Sequence, residues 1–587
     1  MNKNDMTILI GGDAGQGIQS TGNGFIQSLT RAGLFPFGRQ DYRSRIRGGH
    51  NFFEIRVSDE QIYTHTEGVD LLVALTEDSI EKHLDEIVPG GGVLYDEDFD
   101  LEPGTFDNRD VQPFPVPFTS IATDEGGAKV MANTAAIGAV AGLTGFDTSY
   151  ISEIIKENFA VKGDSVVENN VLVAEAGKEY VESKGYEFDY DISPLPGKSD
   201  RMVIDGNQAF ALGALTGGCN FVSAYPMTPS TSVLEWLTKH SAELDIVIKQ
   251  PESELAAINM AIGASHVGAR SLVTTSGGGF SLMVESLGLA GMTETPLVIV
   301  EVQRPGPSTG LPTRTGQGDL SSVVFASQGD SPRLVLAPAT IEEAFKAGKR
   351  AFNLAEKYQL PVIVLSDQHL ADSIRAVPVD EFDTSVDIDR GKFLSEKELE
   401  ELDGKYLRHE FTETGVSSRA IPGHENAVYK TTGNEHDERG DITEDPDLRT
   451  RMMDKRMKKV DTALEKEFSG PLLYGPESAD LTFVGWGSTY GAVREAVNRL
   501  NEGGTEANFY HFDEIWPLRA GEVKDLLESD QRTVVVENNF SGQLGSLITG
   551  ETGARAPDMV LKYDGRPFTP EDILAEVRDL EEVEQDE

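Results

Sequence analysis

The sequence predicts a multidomain α/β protein, with doubly wound parallel sheets covered by helices. Three observations support this fold class. The chain has 587 residues, which is more than one hydrophobic core supports. Short apolar runs bounded by turn residues, such as TILI, PLVIVEV and RTVVVENN, alternate with helical stretches. A charged segment with few apolar runs, residues 377–470, separates the later runs from the earlier ones. We therefore expect three or four domains.

The domain boundaries follow from composition and turn residues. The first series of apolar runs ends at SPLPGKSDR, where proline, glycine and charge together indicate a linker. A second series runs from FVSAY to LPVIVLSD, and a third begins at LTFVGWG. The predicted segments are a first domain at 1–192, a linker at 193–201, a second domain at 202–376, a charged excursion at 377–470, a third domain at 471–577 and an acidic tail at 578–587.

The charge of the chain excludes one class of partner. Its formal net charge is −47, and the acidic residues are spread along the whole length. Such a surface repels phosphate backbones, so nucleic acid is not expected as a partner. Solubility in concentrated salt, where ions screen self-repulsion, is the simplest explanation. We therefore expect a halophile's cytoplasmic protein.

Cysteine and apolar content exclude further classes. The chain has one cysteine, Cys219, so it forms no disulfide framework and holds no iron–sulfur cluster alone. We also expect no metal site on this chain. The apolar run near the N-terminus is too short for a signal peptide, and no run reaches the roughly 20 residues of a membrane span.

A glycine loop, GGDAGQGIQS, follows the first predicted strand and precedes a helix. Gly12, Gly15 and Gly17 suit a phosphate or coenzyme A at a helix N-terminus, although no GK[ST] follows as in a P-loop. A tight strand-to-helix turn without a ligand predicts the same pattern. The nearby RSRIRGGHNFFEIRV carries four arginines, which indicate either a binding surface or a solvated face.

The segment YPMTPST follows a predicted strand of the second domain. Pro226 and Pro229 stiffen the turn and favour extended backbone at Tyr225 and Thr228. The hydroxyl residues at 230–232 supply an N-cap for the next helix. Ligands bind at the carboxyl ends of parallel strands, so Thr228 is a candidate ligand residue. A rigid turn beside a capped helix is the alternative.

Two further loops carry charge at strand ends. In QPESELAA, Glu252 and Glu254 precede a helix rich in small residues. Their negative charges either interact favourably with the helix dipole or are buried in a close-packed interface. In VEVQRPGPSTGLPTRTGQGDL, Arg304 and Arg314 are suited to bidentate binding of a carboxylate. Hydroxyls from Ser308, Thr309 and Thr313 could complete such an anion site. Together the three loops bring a threonine, a glutamate and an arginine to strand ends, and this combination predicts a ligand site.

These motifs resemble those of the α subunits of 2-oxoacid:ferredoxin oxidoreductases, most like the 2-oxoglutarate enzymes of haloarchaea. The resemblance spans essentially the whole chain. GGDAGQGIQ with RGGHNFFEIRVS resembles a γ-type domain, here fused at the N-terminus. YPMTPST, ESELAAINMAIGAS and QRPGPSTGLPTRTGQGDL resemble the pyrimidine-binding domain, and VENNFSGQLGSLI resembles the transketolase C-terminal-like domain. GNEHDERG and MMDKRMKK match the family's charged excursion.

The resemblance implies a role for each matching residue. Thr228 would hydrogen-bond the oxoacid, Arg304 would pair with its carboxylate, and Thr313 would add a further substrate contact. Glu254 would bond N1′ of the thiamine pyrimidine and favour the tautomer whose 4′ nitrogen takes up a proton. The segment holding Tyr225, Pro226, Met227 and Pro229 would contact the cofactor. Met227 stands where the family usually has Ile, which is a tolerated apolar exchange.

The resemblance also implies what the chain lacks. We find no GDG followed 25–30 residues later by NN, the family's site for the diphosphate and Mg²⁺ of thiamine diphosphate. A β subunit would therefore supply Mg²⁺ and a [4Fe-4S] cluster in an (αβ)2 assembly, with ferredoxin as electron acceptor and coenzyme A as co-substrate. The implied reaction is oxidative decarboxylation of 2-oxoglutarate, as in the tricarboxylic acid cycle, and Arg314 is the candidate partner of its distal carboxylate.

Three alternatives stay open on the sequence alone. The first is the same enzyme class acting on pyruvate. The second is a stand-alone thiamine-dependent transferase, which the missing GDG…NN pattern disfavours. The third is a binding protein without catalysis, whose glycine loop holds a nucleotide.

Overall fold

The computed structural model describes residues 2–42, 49–197, 200–528, 532–554 and 557–586. It divides them into two compact units. The first unit comprises Met1–Asp205 with Asp372–Glu381, and the second comprises Gly206–Ala371 with Phe382–Glu587.

The elements alternate between strand and helix along most of the chain. Up to residue 205 they are β1 Asn2–Lys3, β2 Met6–Asp13, α1 Ile18–Arg31, β3 Phe37–Asp41, β4 His50–Val57, β5 Val69–Ala74, α2 Glu77–His83, β6 Ile87–Asp96, β7 Val111–Val116, α3 Phe118–Asp124, α4 Ala132–Thr144, α5 Thr148–Phe159, α6 Asp164–Lys184, β8 Tyr190–Asp191 and β9 Arg201–Asp205. Up to residue 378 they are α7 Gly206–Thr216, β10 Phe221–Ser223, α8 Thr231–Leu244, β11 Val247–Lys249, α9 Glu254–His266, β12 Ser271–Thr275, α10 Gly277–Met292, β13 Leu297–Gln303, α11 Leu320–Val324, β14 Leu334–Leu336, α12 Ile341–Tyr358, β15 Pro361–Asp367, α13 Gln368–Asp372 and β16 Ile374–Pro378. The remainder are α14 Glu396–Glu400, α15 Pro446–Glu467, β17 Leu472–Tyr474, β18 Leu481–Trp486, α16 Tyr490–Glu502, β19 Ala507–Phe512, β20 Glu514–Trp516, α17 Ala520–Leu527, β21 Arg532–Glu537, α18 Gln543–Thr552, β22 Asp558–Leu561 and α19 Pro570–Asp586.

The first unit contains an eight-stranded mixed sheet in the order β7-β6-β5-β2-β4-β3-β16-β9. Strands β7, β6, β5 and β2 pair in parallel, as predicted for this block. The expectation of a wholly parallel sheet is wrong, because β4, β3, β16 and β9 pair antiparallel. Strands β3 and β4 carry charge within the sheet: Arg39 Nη2 lies 2.7 Å from Glu54 Oε2. Such strands lack the apolar run that identifies a buried parallel strand.

The second unit contains two sheets. The seven-stranded sheet has the order β11-β10-β12-β13-β15-β14-β20, in which only the β14–β20 pairing is antiparallel. The five-stranded sheet has the order β17-β19-β18-β21-β22, with β17 the antiparallel member. One hydrophobic core includes buried residues of both sheets, among them Ile299, Ile363, Val484 and Val535. The predicted doubly wound α/β class is confirmed.

The charged excursion is held to the second unit by a buried ion cluster. Glu294, at the turn before β13, is 1% exposed at its side chain and accepts hydrogen bonds from Lys455 Nζ at 2.7 Å and His409 Nδ1 at 2.8 Å. Lys459 forms a further ion pair with the same carboxylate. Both lysines lie on α15. We call Glu294, His409, Lys455 and Lys459 the Glu294 cluster.

The structure groups three segments differently from the predicted boundaries. Strands β9 and β16 lie in the sheet of the first unit, whereas composition placed both in the 202–376 domain or beside it. Their apolar residues pair with each other, which residue-by-residue composition does not reveal. The predicted acidic tail at 578–587 begins inside α19, whose backbone is helical through Asp586. Among the described helices, none is long and apolar enough to cross a membrane.

Candidate active site

Three loops meet at the N-terminus of α10, where residues 277–279 are all glycine. A Cβ at position 277 would overlap the carboxylate of Asp319, and one at position 279 would lie 2.9 Å from Glu254 Cγ. A Cβ at position 278 would come no closer than 3.9 Å to Met227 Sδ and to the Ser308 carbonyl oxygen. The glycines therefore allow all three predicted loops to approach one helix end, with a small open space beside Gly278.

The Thr228 loop is held by hydrogen bonds from one hydroxyl and one side-chain amide. It follows β10, and its Thr228–Pro229 peptide bond is cis. Ser230 occupies the N-cap position of α8, but the predicted side-chain cap is wrong. Its hydroxyl instead donates to the Met227 carbonyl at 2.8 Å, and Asn207 Nδ2 donates to the Pro229 carbonyl at 2.9 Å. These bonds close the turn on both sides of Thr228.

Arg304 connects the loop after β13 to the Thr228 loop. Its Nη1 donates to the Thr228 carbonyl oxygen at 2.7 Å. Burial lowers the pKa of Arg304, because desolvation disfavours the charged form, while the negative charge of Asp319 opposes that shift. The guanidinium stays charged, since its ordinary pKa is far above neutral. The structure thus brings Thr228 and Arg304 together as predicted.

Glu254 is the buried member of the predicted carboxylate pair. It opens α9, where the Ser253 hydroxyl accepts from the Ala256 N–H at 3.2 Å as N-cap. Glu254 is 5% exposed, whereas Glu252 is exposed at the surface. The Glu254 side chain lies against Gly279 at the N-terminus of α10. A buried carboxylate at this position fits the protonated N1′ of a thiamine pyrimidine, and Met227 offers that ring an apolar neighbour.

A second group of buried acids, which the sequence did not predict, lies behind Arg304. Glu301 on β13 is 0% exposed, and burial beside Asp319 and Asp367 raises its pKa well above the ordinary value. Burial raises the pKa of Asp319 to about 6, although the neighbouring Glu301 carboxyl and the positive charge of Arg304 oppose the shift. The signal available was the single acid within the apolar run LVIVEVQ.

Gln317 holds the loop after β13 against the five-stranded sheet. Its Nε2 donates to the Trp486 carbonyl at 2.9 Å, and its Oε1 accepts from the Asn538 N–H at 2.9 Å. Asn539 Nδ2 donates to the Gln317 carbonyl at 3.0 Å, and Glu537 accepts from Asn539 Nδ2 at 2.8 Å. The VENN sequence of the third predicted domain therefore positions the end of this loop.

Thr313 and Arg314 lie further along the same loop. Thr313 is buried, and its carbonyl accepts from Arg314 Nη1 at 2.8 Å. A Cβ at Gly565 would lie 3.2 Å from Arg314 Cβ, so this part of the loop packs on the segment before α19.

The predicted glycine loop belongs to the first unit. Gly15 and Gly17 have φ of 97° and 76°, conformations that favour glycine, and Gly17 immediately precedes α1. The Asp13 N–H donates to Gln16 Oε1 at 2.8 Å and closes the turn after Gly12. Of the four predicted arginines, Arg43, Arg45 and Arg47 lie outside the described residues. Arg56 lies on β4 and donates to the Thr64 carbonyl at 3.2 Å.

Comparison with protein families gives two matches. Residues 7–180 match a family described as pyruvate ferredoxin/flavodoxin oxidoreductase. Residues 212–455 match one described as pyruvate flavodoxin/ferredoxin oxidoreductase, thiamine diphosphate-binding.

Individual proteins are similar along nearly the full length. A 2-oxoacid:ferredoxin oxidoreductase subunit alpha of Sulfolobus is 35% identical, over 97% of this chain and 96% of that protein. A 2-oxoglutarate oxidoreductase subunit of Mycobacterium tuberculosis is 30% identical, over 99% of this chain and 93% of that protein. Among solved structures, the 2-oxoglutarate:ferredoxin oxidoreductase from Magnetococcus marinus, with 2-oxoglutarate, coenzyme A and succinyl-CoA bound, is 34% identical. It covers 98% of this chain and 100% of that chain, with a TM-score of 0.91.

Proposed function

The chain belongs to the family of 2-oxoacid:ferredoxin oxidoreductase α subunits, and we propose that its substrate is 2-oxoglutarate. With coenzyme A as co-substrate, the products are succinyl-CoA and CO2, and ferredoxin receives the electrons. The observation that carries this proposal is the meeting of Thr228, Arg304 and Glu254 around one glycine helix end. A carboxylate-binding cation, a hydroxyl and a buried acid are the groups that a 2-oxoacid and a thiamine ring require.

The roles of the chain's own residues follow from their chemistry. Arg304 binds the substrate carboxylate, and its bond to the Thr228 carbonyl orients the guanidinium before the substrate arrives. Thr228 and Thr313 provide hydroxyls for the oxoacid oxygens. Glu254 holds a proton shared with the pyrimidine nitrogen N1′ and so sets the tautomer of the ring. Thiamine diphosphate, when bound, supplies the electron sink for decarboxylation.

Further residues of the chain are assigned to the cofactor and to coenzyme A. Tyr225, Pro226, Met227 and Pro229 contact the cofactor, with Met227 facing the open space at Gly278. The loop of Gly12, Gly15 and Gly17 binds phosphate groups of coenzyme A at the N-terminus of α1. We assign Mg²⁺ and a [4Fe-4S] cluster to a β subunit in an (αβ)2 assembly of a salt-adapted cytoplasm, where the enzyme serves the tricarboxylic acid cycle.

Pyruvate is the second candidate substrate, since both matching families carry pyruvate in their descriptions. The two acids differ by a distal carboxylate, and Arg314 is the cation of this loop that we assign to it. Arg314→Ala should therefore raise KM for 2-oxoglutarate more than KM for pyruvate. Equal changes for the two acids would contradict this assignment.

The test is a 2-oxoacid panel on the enzyme purified in high salt with its accompanying subunits. Each acid is assayed for coenzyme A-dependent reduction of ferredoxin or a viologen dye. We expect reduction with 2-oxoglutarate and not with pyruvate. Reduction with pyruvate alone would overturn the substrate, and no reduction with any acid would overturn the function.

A matched pair of variants tests the role of Glu254. Glu254→Gln should abolish reduction and weaken thiamine diphosphate binding, because the amide cannot hold the N1′ proton. Glu252→Gln changes an exposed carboxylate two residues away in the same way and should leave both measurements unchanged. Equal activity in the two variants would show that Glu254 does not hold the cofactor.

A further inference from the structure

Two arginines of the charged excursion contact the helix that begins with Glu254. Arg419 donates from Nη2 to the Ser265 carbonyl oxygen at 2.5 Å, and Arg390 donates from Nη2 to the Gly268 carbonyl oxygen at 2.9 Å. Ser265 lies in the last turn of α9, and Gly268 follows the end of that helix. The excursion therefore contacts the C-terminus of the helix whose first residue is Glu254.

The same two arginines share a second partner, Glu356 on α12. Arg419 Nη1 lies 3.1 Å from Glu356 Oε1, and Arg390 Nε lies 3.4 Å from Glu356 Oε2. Arg270, just before β12, adds a third guanidinium, with its Nη1 at 2.7 Å from Glu356 Oε2. The side chains of Arg419 and Glu356 are each 3% exposed. Each excursion arginine thus joins α12 to the end of α9.

Charge explains why this double contact specifies the position of α9. Glu356 alone balances only one of the three guanidinium charges, and a buried charge without compensation is costly. The carbonyl groups in the last turn of a helix lack partners within the helix and carry the partial negative charge of its dipole. They compensate the arginines only if α9 ends at this place. A shift of α9 along its axis would leave buried guanidinium groups without acceptors.

The position of the C-terminus is also the position of Glu254. Helix α9 has 13 residues, which span about 20 Å. Because successive turns are hydrogen-bonded to one another, a displacement at one end of the helix is carried to the other. At the N-terminus, Glu254 Cγ would lie only 2.9 Å from a Cβ at Gly279, so α9 and α10 are in close contact there. A misplacement of about 1 Å at a reacting group can cost about 100-fold in rate.

The excursion contacts α10 in a comparable way. Arg408 donates from Nη2 to the Glu294 carbonyl oxygen at 2.6 Å and from Nη1 to Gln359 Oε1 at 2.8 Å. Glu294 follows the end of α10 by two residues, and α10 begins with the three glycines of the site. The two helices whose N-termini meet at the site are therefore both bound at their C-terminal ends by arginines of the excursion.

We propose that the charged excursion positions the cofactor-binding carboxylate: Arg390 and Arg419 are positioning residues that fix Glu254 through α9. This inference rests on the proposed function, because that function assigns the thiamine pyrimidine to Glu254. The residues assigned to the oxoacid lie elsewhere, Thr228 on the loop after β10 and Arg304 on the loop after β13. Loss of the arginine contacts should therefore affect the cofactor more than the oxoacid.

The experiment measures thiamine diphosphate binding separately from turnover. Thiamine diphosphate is titrated calorimetrically, with Mg²⁺ present, into the complete enzyme freed of cofactor in high salt. For Arg419→Gln we expect Kd for thiamine diphosphate to rise about tenfold or more, because Glu254 loses its fixed position. At saturating cofactor, kcat should also fall, whereas KM for 2-oxoglutarate should stay within about twofold of the wild-type value.

The matched control is Arg456→Gln, which removes an equally buried guanidinium from the same excursion. The Arg456 side chain is 2% exposed and pairs with Glu435 through Nη1 at 2.9 Å and Nη2 at 2.8 Å. Both residues of this pair belong to the excursion. The control should lower Tm by an amount similar to that of Arg419→Gln and keep the wild-type Kd for thiamine diphosphate.

A second variant decides the question if Arg419→Gln does not fold. The Arg390 side chain is 29% exposed, so Arg390→Gln disturbs the core less and should show the same pattern with a smaller change in Kd. Wild-type cofactor affinity in Arg390→Gln and Arg419→Gln, or an equal loss in Arg456→Gln, would overturn the inference and leave the proposed function intact. A wild-type enzyme that binds no thiamine diphosphate and oxidises no oxoacid would instead overturn the proposed function.

Discussion

The Glu294 cluster offers a strong test of how the charged excursion is held in place. In Glu294→Gln, one uncharged amide replaces the carboxylate that serves Lys455, Lys459 and His409. The lysine side chains are 2% and 0% exposed, so neither can reach water in the folded state. The variant thus leaves two buried ammonium groups without an anion in this cluster.

The expected magnitude follows from burial. Removing one partner of a buried ion pair costs about 3–5 kcal/mol, because the remaining charge is desolvated without compensation. The lysines reduce that cost by losing protons: burial already lowers the pKa of Lys459 to about 7 with Glu294 present. For a unit of this size, 3–5 kcal/mol corresponds to a decrease in Tm of about 3–10 °C.

Differential scanning calorimetry of the complete enzyme in high salt measures this change. Glu401→Gln is the control, since it removes one partner of the Lys397–Glu401 pair, whose side chains are 80% and 67% exposed. Exposed pairs contribute at most about 1 kcal/mol, so the control should keep the wild-type Tm within about 2 °C. Equal Tm values for Glu294→Gln and Glu401→Gln would refute the reasoning.

Three further predictions concern the site, its loop and the response to acid. Gly279→Ala places a Cβ 2.9 Å from Glu254 Cγ and should weaken thiamine diphosphate binding at least tenfold. The circular dichroism spectrum of this variant should stay unchanged. Gly550→Ala is the control, because a Cβ at that position would have no atom within 4 Å. Gln317→Leu leaves the Asn538 N–H without its partner, which costs about 1–3 kcal/mol, and removes one of two hydrogen bonds to the Trp486 carbonyl, which keeps the one from Thr489. The variant should raise KM for the oxoacid, and an unchanged KM would contradict the role of this loop contact. Burial lowers the pKa of His409 from 6.5 to about 3, so the unfolded chain binds a proton that the folded chain does not. The free energy of unfolding should therefore fall as pH falls from 6.5 towards 5. In denaturant titrations, His409→Gln should reduce this dependence of the free energy of unfolding on pH. An unchanged pH dependence in the variant would contradict the prediction.

The sequence predicted the elements with a strong local signal. Each fully buried parallel strand, such as β13 and β15, appeared as an uninterrupted apolar run, and the structure places these strands within one or two residues of the expected bounds. Strands β3 and β4 were missed, because their ion pair between Arg39 and Glu54 forms only across the sheet. A single strand does not show which of its charges are compensated by a neighbour.

The sequence predicted those site residues that have a local pattern, and it missed those whose role depends on contacts with distant parts of the chain. Thr228, Glu254 and Arg304 each carry a polar group beside turn residues at a strand end, which is a local pattern. Which of Glu252 and Glu254 is buried depends on the approach of Gly279 from another helix. The pairing of Glu301 with Asp319 likewise requires the fold of the loop between them.

The sheet order of the first unit also has a consequence for synthesis on the ribosome. Strand β16 lies between β3 and β9, and within the described strands β9 pairs only with β16. The chain makes β9 before the whole segment from α7 to α13, and β16 after it. At about 5–20 residues per second, that segment takes roughly ten seconds or more to emerge.

During that interval β3 is an unpaired edge strand of the nascent first unit, and β9 also lacks its pairing partner β16. An unpaired edge of this kind is a template for pairing with other chains. Nascent-chain aggregation should therefore peak for chains stalled between residues 205 and 374, and decline once β16 has left the exit tunnel.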